Sequence, residues 1–204
     1  MNGFDQKAKE WDKNQMHLER TMAVASQLMK MIPFKSNMKA LEFGAGTGLL
    51  SFYLKDRFSE ITLMDSSRKM LKMAEQKMEA GDDSKFKTLF INLEMEEYQG
   101  DPFDIIYNQM VMHHIKDIHA IFRKFYHLLN PGGILAIADL YPEDGSFHDG
   151  ALDVHYGFDP DYLKEILHQQ GFHECQIAPC FVIRKELSAE RIMEYPVFLM
   201  TAFR

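Results

Sequence analysis

Strand-like and helix-like patterns of apolar residues alternate along the middle of this chain. Between short apolar runs, apolar side chains recur every three or four residues, as in a helix that buries one face. The cleanest example comprises Ile118, Ile121, Phe122 and Phe125, which follow the helix-capping residue Asp117. The short apolar runs typical of strands are residues 40–43, 60–64, 85–91, 103–107 and 134–139. Strands and helices that alternate in this way predict a doubly wound, mostly parallel sheet.

Both ends of the chain extend this pattern. Apolar residues at roughly helical spacing in residues 5–31 predict one or two amphipathic helices before the first strand. Asp159, which precedes a proline, predicts the start of a later helix, and Gly171 predicts its end. Beyond that helix, two further strands are predicted at about 172–183 and 195–203.

The first strand ends in three glycines at alternate positions, Gly44, Gly46 and Gly48. Glycine tolerates tight turns and leaves no side chain in front of the backbone, so a strand, a glycine loop and a helix together favour a nucleotide-like ligand. The second strand ends at Asp65, about 20 residues further along, where such a unit places the carboxylate that accepts hydrogen bonds from a ribose. The two features together predict a nucleoside-binding site.

The spacing of the glycines distinguishes between cofactors. Dinucleotide-binding loops have the pattern Gly-x-Gly-x-x-Gly, which Thr47 and Gly48 break. Glu42, two residues before the first glycine, adds a carboxylate that suits a cationic ligand and would repel a diphosphate. In these residues the chain resembles the class I methyltransferases that use S-adenosylmethionine, whose first motif has the form Glu-x-Gly-x-Gly-x-Gly.

This resemblance implies a particular fold and domain organisation. The expected fold is α/β and Rossmann-like, a doubly wound, mostly parallel seven-stranded sheet with helices on both faces and an antiparallel C-terminal strand. Because 204 residues lie within the usual size of one domain, residues 1–204 are expected to form a single methyltransferase domain. Its expected parts are an N-terminal helical lid (1–35), a cofactor-binding core (36–141), and a substrate-side loop, helix and C-terminal hairpin (142–204).

The resemblance also implies which residues bind S-adenosylmethionine and its product S-adenosylhomocysteine. Met70 matches the methionine that lies against the adenine ring, although its spacing equally fits a core residue. Asn92 matches loosely the residue that reads the adenine amino group, and a turn-forming asparagine is the alternative. The implied cofactor-binding residues are Glu42, Phe43, Gly44, Ala45, Gly46, Thr47, Gly48, Asp65, Ser66, Met70, Asn92, Leu93, Asn108, Gln109, Met110 and His113.

Methyl transfer from a sulfonium requires alignment of donor and acceptor, and sometimes a base, but no covalent nucleophile. Histidines are the candidate bases because their usual pKa is near neutral pH. The candidate catalytic residues are His113, His148 and His155, each of which also fits a structural role. The long polar loop 141–158 follows the fifth strand and is expected to line the acceptor side. The candidate substrate-binding residues are Trp11, Tyr141, His148, His155 and Tyr156.

Charge and composition narrow the choice of acceptor and partner. A net charge of −7 argues against general binding to nucleic acid, and the Asn-Pro-Pro-Tyr clamp of enzymes that methylate bases is absent from the fourth motif. A small-molecule acceptor is therefore expected. The sequence lacks the roughly 18 consecutive apolar residues of a membrane span, so a cytoplasmic monomer or homodimer is expected. The acidic residues and histidines of the loop match no defined metal-site spacing, and no metal is predicted.

The favoured function is therefore methyl transfer from S-adenosylmethionine to an oxygen or nitrogen of a small molecule. A non-catalytic domain that binds the cofactor and acts as a sensor or as a subunit of a partner enzyme remains the alternative. Binding without turnover of any acceptor would favour it. An NAD-dependent oxidoreductase is disfavoured by the glycine spacing and by Glu42.

Overall fold

The computed structural model describes residues 8–81, 83–188 and 191–204. Within these ranges the strands are β1 (Lys39–Phe43), β2 (Glu60–Asp65), β3 (Phe86–Phe90), β4 (Phe103–Gln109), β5 (Leu129–Leu140), β6 (His173–Ser188) and β7 (Arg191–Phe203). The α-helices are α1 (Gln15–Met31), α2 (Leu49–Leu54), α3 (Arg68–Gly81), α4 (Ile118–Leu128) and α5 (Pro160–Gln169). Short 3₁₀ segments occupy Ala8–Lys13, Lys55–Arg57, Met112–His114 and Ser146–His148.

The seven strands form one sheet in the order β3-β2-β1-β4-β5-β7-β6. The first five strands along the chain are parallel, whereas β7 is antiparallel to both β5 and β6. The predicted Rossmann-like fold with an antiparallel C-terminal strand is therefore confirmed. The strand order reverses direction at β1 and β4, and ligands of such sheets bind at the carboxyl ends of the strands beside this reversal.

Helices cover both faces of the sheet and bury an apolar core on each. On one face, α4 and α5 pack through residues such as Phe125 and Leu163 against Leu41 of β1. On the other face, α1, α2 and α3 pack through residues such as Leu28 and Leu54. Because successive strand residues point to opposite faces, parallel strands buried on both sides read as continuous apolar runs.

The helix starts predicted at Asp117 and Asp159 have the expected side-chain caps. Asp117 accepts a hydrogen bond from the N–H of Ala120 at α4, and Asp159 accepts hydrogen bonds at the start of α5. At α3 the hydroxyl of Ser67 likewise accepts a hydrogen bond from the N–H of Met70. Residues 5–7 of the predicted N-terminal helices lie outside the described residues. No described helix is long and apolar enough to cross a membrane.

Three strands are longer than the sequence predicted. Strand β5 begins at Leu129 rather than 134, because the Asn-Pro-Gly-Gly stretch at 130–133 pairs with backbone groups of Arg204. Strands β6 and β7 extend beyond the end of β5 as a two-stranded hairpin, in which Arg184 and Glu194 face each other and form an ion pair. Polar side chains on both strands of this extension conceal the period-two pattern.

A buried hydrogen-bonded group joins β1, α2 and β4. Glu42, only 4% exposed, accepts hydrogen bonds from both the backbone N–H and the hydroxyl of Ser51. The Ser51 hydroxyl lies 2.6 Å from the hydroxyl of Tyr107. Burial raises the pKa of Glu42 to about 7, although the hydrogen bonds from Ser51 act in the opposite direction. Near neutral pH this carboxyl is therefore partly protonated, so its charge depends on what binds nearby.

The loop 141–158 is closed back onto the sheet by backbone hydrogen bonds. The N–H of Glu143 donates to the carbonyl of Tyr156, and the N–H of Phe158 donates to the carbonyl of Leu140. Gly157 lies at the closure with a φ of +74°, where a Cβ atom would overlap the carbonyl oxygen of Tyr141. Only glycine fits this position, because both the dihedral angle and the space exclude a side chain.

We predict that Gly157→Ala destabilises the protein more than Gly150→Ala. Gly150 has a similar φ of +76°, but no described atom lies within 4 Å of the position that a Cβ would take there. Both variants therefore share the dihedral cost, and only Gly157→Ala adds a clash. We expect the two free energies of unfolding, measured in urea, to differ by about 2 kcal/mol or more. Equal destabilisation by both substitutions would contradict this closure of the loop.

We predict that Glu42→Gln changes how stability depends on pH. Between the usual value of 4.5 and about 7, the folded protein holds more protons at Glu42 than the unfolded chain, so the free energy of unfolding falls as pH rises. The slope from this group is at most about 1.4 kcal/mol per pH unit. Glutamine keeps the acceptor oxygen for Ser51 but cannot ionise.

The measurement is urea unfolding of the cofactor-free protein from pH 4.5 to pH 8. Relative to the native protein, Glu42→Gln should become progressively more stable as pH rises through this window. The exposed residue Glu79 on α3 provides the control, and Glu79→Gln should show no such trend. A stability difference for Glu42→Gln that does not vary with pH would rule out the buried, partly protonated carboxyl.

Candidate functional site

The three glycines after β1 have positive φ angles, but their surroundings differ. A Cβ on Gly44 would lie 2.6 Å from the Val111 side chain, and one on Gly48 would lie 2.8 Å from Leu63. At Gly46, with a φ of +55°, the sole described contact within 4 Å is the sulfur of Met70, at 4.0 Å. Two of the glycines therefore permit close packing, whereas Gly46 borders open space beside Met70, as expected where a ligand approaches the backbone.

Asp65 fixes the shape of this loop. One carboxylate oxygen accepts a hydrogen bond from the N–H of Gly46 at 2.7 Å, and the other accepts one from the N–H of Ser67 at 2.7 Å. These bonds tie the end of β2 to the glycine loop and to the start of α3. The predicted neighbours Asp65, Gly46 and Met70 are thus brought together at the carboxyl ends of β1 and β2.

Buried amide groups lie at the carboxyl end of β4. Asn108 is 1% exposed, and neither its amide nitrogen nor its amide oxygen has a hydrogen-bond partner among the described residues. Gln109 donates to the hydroxyl of Thr21 on α1 at 2.9 Å, while its own amide oxygen is buried without a described partner. Leaving such groups unpaired costs about 1–3 kcal/mol each, so they indicate a place where a polar ligand binds.

The backbone at the end of β4 is strained as well. Met110 has a φ of +58°, in the left-handed region that residues other than glycine seldom adopt. Its N–H donates to the carbonyl of Ala138 on β5, which holds it in place. Strained backbone of this kind is concentrated at functional sites, and here it follows directly after Asn108 and Gln109.

Arg20 is a further candidate site residue, one that was not predicted from the sequence. It lies on α1, is 4% exposed, and has a buried Nε that lacks a hydrogen-bond partner within residues 8–81, 83–188 and 191–204. Burial lowers its pKa to about 10, while the negative charge of Asp139 acts in the opposite direction. Its Nη1 donates to the sulfur of Met16 at 3.7 Å, and a buried guanidinium whose Nε lacks a described acceptor suits a carboxylate ligand. Its position within a charged, amphipathic helix carries no sequence signal of this role.

The segment Ala8–Lys13 is attached to the glycine loop. The hydroxyl of Thr47 donates to Asp12 at 2.5 Å, and Asp12 forms an ion pair with Lys77 of α3 at 2.7 Å. The ring of Trp11 packs against His17, with the ring centroids 4.3 Å apart. The described part of the predicted lid therefore contacts the loop, whereas residues 1–7 lie outside the described residues.

The other predicted cofactor residues occupy different environments. Asn92 is exposed, and its side-chain oxygen accepts a hydrogen bond from the N–H of Glu94, as in the turn that was its alternative interpretation. Ser66 is exposed beside Asp65. Among the predicted cofactor residues whose burial has not yet been described, Phe43, Ala45, Thr47 and Leu93 are buried.

A histidine and an aspartate form a buried pair at the ends of β4 and β5. The Nδ1 of His113 lies 2.7 Å from one carboxylate oxygen of Asp139, and the backbone N–H of His113 donates to the other at 3.3 Å. Burial acts to raise the pKa of Asp139, but the charge of His113 and the hydrogen bonds outweigh it, so this pKa is lower than usual. An ionised Asp139 orients the His113 ring, which leaves Nε2 as the nitrogen for any other partner.

Two further histidines complete a histidine cluster of His113, His114 and His148. The ring centroid of His113 lies 4.2 Å from that of His114 and 4.8 Å from that of His148. Burial lowers the pKa of both His114 and His148 to about 4, so these rings are neutral at neutral pH. The Nε2 of His148 is buried and has no hydrogen-bond partner in the part of the chain that the structure describes.

The remaining substrate candidates hold the loop in place. The Nε2 of His155 lies 2.9 Å from the carbonyl oxygen of Ile115, and its backbone N–H donates to the carbonyl of His113. The Tyr141 ring packs edge-on against Phe198, and the Tyr156 ring lies beside Gly145. Among the predicted loop residues, the structure brings His148 into the histidine cluster, while these three make structural contacts.

Known proteins match this chain in sequence and in fold. The family described as Methyltransferase domain matches residues 16–176. An uncharacterized methyltransferase of Schizosaccharomyces pombe is 31% identical over 147 residues, which is 68% of this chain and 49% of that protein. Phosphoethanolamine N-methyltransferase 3 of Arabidopsis thaliana is 31% identical over 121 residues, which is 58% of this chain and 24% of that protein. The chain thus spans about half or less of the length of these curated relatives.

A solved structure supports the same assignment. The N-methyltransferase NodS from Bradyrhizobium japonicum, in complex with S-adenosyl-L-homocysteine, has a TM-score of 0.71 at 16% sequence identity, over 100% of this chain and 99% of that chain. At that identity the likeness shows the fold. Together with a family match over most of the chain and the Glu-x-Gly-x-Gly-x-Gly loop, it shows that this chain belongs to the class I methyltransferases, whose cofactor is S-adenosylmethionine.

Proposed function

We propose that this protein transfers a methyl group from S-adenosylmethionine to an oxygen or nitrogen atom of a small molecule. The single observation that carries the proposal is the buried, unpaired amide of Asn108, for which the described chain offers no partner. It lies at the carboxyl end of β4, beside the point where the strand order reverses. A polar ligand at this place would satisfy the amide and recover the free energy lost by burying it.

The groups around Asn108 fit the parts of S-adenosylmethionine. Asp65, a carboxylate at the end of β2 beside the glycine loop, suits the ribose hydroxyls, and Met70 beside Gly46 suits the adenine ring. The buried guanidinium of Arg20 suits the carboxylate of the methionine part. S-adenosylmethionine supplies a methyl group on a positively charged sulfur, and the electrons of the broken carbon–sulfur bond return to that sulfur. Asn92 is the weakest candidate for binding the adenine amino group, because its side-chain oxygen is engaged in a turn.

The histidine cluster is the proposed acceptor side of the site. It lies after β4 and in the loop after β5, at the same edge of the sheet as the glycine loop. A neutral imidazole nitrogen can accept the proton that the acceptor loses as its oxygen or nitrogen is methylated. His148 is the best placed of the predicted bases, since its Nε2 is buried without a described partner, whereas His155 faces a backbone carbonyl.

A small acceptor is supported by the surroundings of this cluster. The rings are buried or half-buried, and the net charge of the chain is −7, which disfavours polyanions. The Arabidopsis relative is named for methylation of phosphoethanolamine, a small molecule. These observations favour a small acceptor, and the acceptor screen below identifies it.

We predict that Asp65→Ala weakens the binding of S-adenosylmethionine and S-adenosylhomocysteine more than tenfold. The loss removes a charged acceptor worth about 1.5–3 kcal/mol from two ribose hydroxyls and releases the N–H of Gly46. Trp11 provides the readout, because it is the only tryptophan and its neighbour Asp12 bonds to the glycine loop. Calorimetry gives the affinity independently.

The matched control for this prediction is Asp104→Ala. Asp104 likewise accepts a hydrogen bond from a backbone N–H, that of Lys39, but it lies at the start of β4, where the amino ends of the parallel strands meet. Its substitution should leave cofactor affinity within about twofold, even if stability falls. Equal affinities of Asp65→Ala and the native protein would remove Asp65 from the site.

An acceptor screen tests the proposed function itself. The protein is incubated with S-adenosylmethionine and pools of cell metabolites, and mass spectrometry detects the gain of one methyl group. Once an acceptor is found, we predict that His148→Ala lowers turnover by about 10²–10⁴-fold with nearly unchanged cofactor affinity. His168→Ala, a change of an exposed histidine on α5, should leave turnover unchanged. Cofactor binding without methylation of any acceptor would favour a sensor or partner subunit instead.

A further inference from the structure

The histidine cluster has the composition and spacing of a metal-binding site. One ring nitrogen each from His113, His114 and His148 lies within 4.8 Å of the corresponding atoms of the other two. Nitrogens bound to one tetrahedral Zn²⁺ are about 3.4 Å apart, given Zn–N distances of about 2.0–2.1 Å. The three rings therefore need to approach by little more than about 1 Å to share an ion.

Asp139 supplies the second part of such a site. Histidines that bind metals usually donate their other ring N–H to a carboxylate or a carbonyl, which fixes the tautomer and the direction of the ligating nitrogen. His113 has this arrangement, with Nδ1 2.7 Å from the fully buried carboxylate of Asp139. The nitrogen that remains for an ion is then Nε2.

His148 supplies an independent observation. Its Nε2 is buried, and the described residues give it no hydrogen-bond partner. A buried nitrogen of this kind has lost its hydrogen bonds to water without gaining one in the protein, which is unfavourable. His148 lies in the 3₁₀ segment Ser146–His148 of the loop after β5, and its ring packs against the ring of His113 after β4. An ion held jointly with His113 and His114 would satisfy this atom.

We infer that His113, His114 and His148 bind one divalent transition-metal ion. Imidazole ligands suit Zn²⁺, Ni²⁺, Cu²⁺ and Fe²⁺, whereas Mg²⁺ and Ca²⁺ prefer oxygen ligands. Three protein ligands leave a fourth position on a tetrahedral ion, as in catalytic rather than structural zinc sites. The sequence predicts no metal here, because no spacing rule connects His148 with the adjacent His113 and His114.

A role for the ion in methyl transfer rests on the proposed function, whereas the binding of the ion does not. An empty histidine cluster can take a proton from the acceptor, but a nitrogen that binds an ion has no lone pair left for a proton. A loaded cluster would instead hold an oxygen or nitrogen of the acceptor at the fourth position and lower the pKa of the bound group. The proton would then pass to water.

Titration of the untagged, metal-free chain with Co²⁺ tests the site. Co²⁺ reports coordination by three imidazoles through its visible absorption, and mass spectrometry of metals gives the number of ions per chain. We expect one Co²⁺ per chain, displaced by Zn²⁺. His148→Ala and His114→Gln should each weaken binding at least tenfold. His168→Ala, whose target is exposed on α5, should bind Co²⁺ as the native protein does.

Circular dichroism establishes that each variant is folded. The two substituted ligands lie on separate segments, so the test still holds if one of the two variants fails to fold. Binding of Co²⁺ by folded His148→Ala and His114→Gln with native affinity would overturn the inference, as would less than one Co²⁺ per native chain. Neither the cofactor nor an acceptor enters this titration. The metal site can therefore fail while methyl transfer is observed, and it can be confirmed while no acceptor is found.

Discussion

The two hydrogen bonds accepted by Asp65 are the constraint on which the rest of the site depends. They join the end of β2 to the glycine loop at Gly46 and to the start of α3 at Ser67. A charged acceptor makes such bonds stronger than neutral ones, so three segments share one fixed point. With the loop held there, Gly46 faces open space and Met70 lies beside it. The carboxylate that shapes the loop is thus the same group that we propose for the ribose of the cofactor.

The apolar core offsets the unfavourable groups at this edge of the sheet. Asn108, Arg20 and Asp139 are buried with unmet or costly polar atoms, and large apolar clusters on both faces of the sheet must compensate for them. Glu42 shows the same cost in its raised pKa. A buried amide without a described partner indicates a ligand site, and Asn108 lies at the end of β4, beside the point where the strand order reverses.

Local patterns in the sequence predicted the fold and one half of the site. Strands, helices and caps follow from periodicities of two and 3.6 residues and from single capping residues such as Asp117. Gly46 and Asp65 were recognisable because a fixed spacing accompanies their chemistry. Arg20 was not recognisable, and His113 and His148 were candidates singly but not as a cluster with His114, because tertiary packing alone brings α1 and the loop after β5 to the ends of β4 and β5. Catalytic roles for His113, His148 and His155 remain predictions.

Asp139 connects the two halves of the site through charge. Its carboxylate is bonded to His113 on the acceptor side, and its field also acts on the buried guanidinium of Arg20, whose Nε has no described acceptor. A ligand carboxylate that pairs with Arg20 would neutralise the cation that Asp139 partly balances. The negative charge of Asp139 would then act more strongly on His113 and on any cation in the histidine cluster. The carboxylate of the cofactor and a cation in the histidine cluster would therefore favour each other through Asp139, whereas the ammonium and sulfonium groups of S-adenosylmethionine would oppose the same cation.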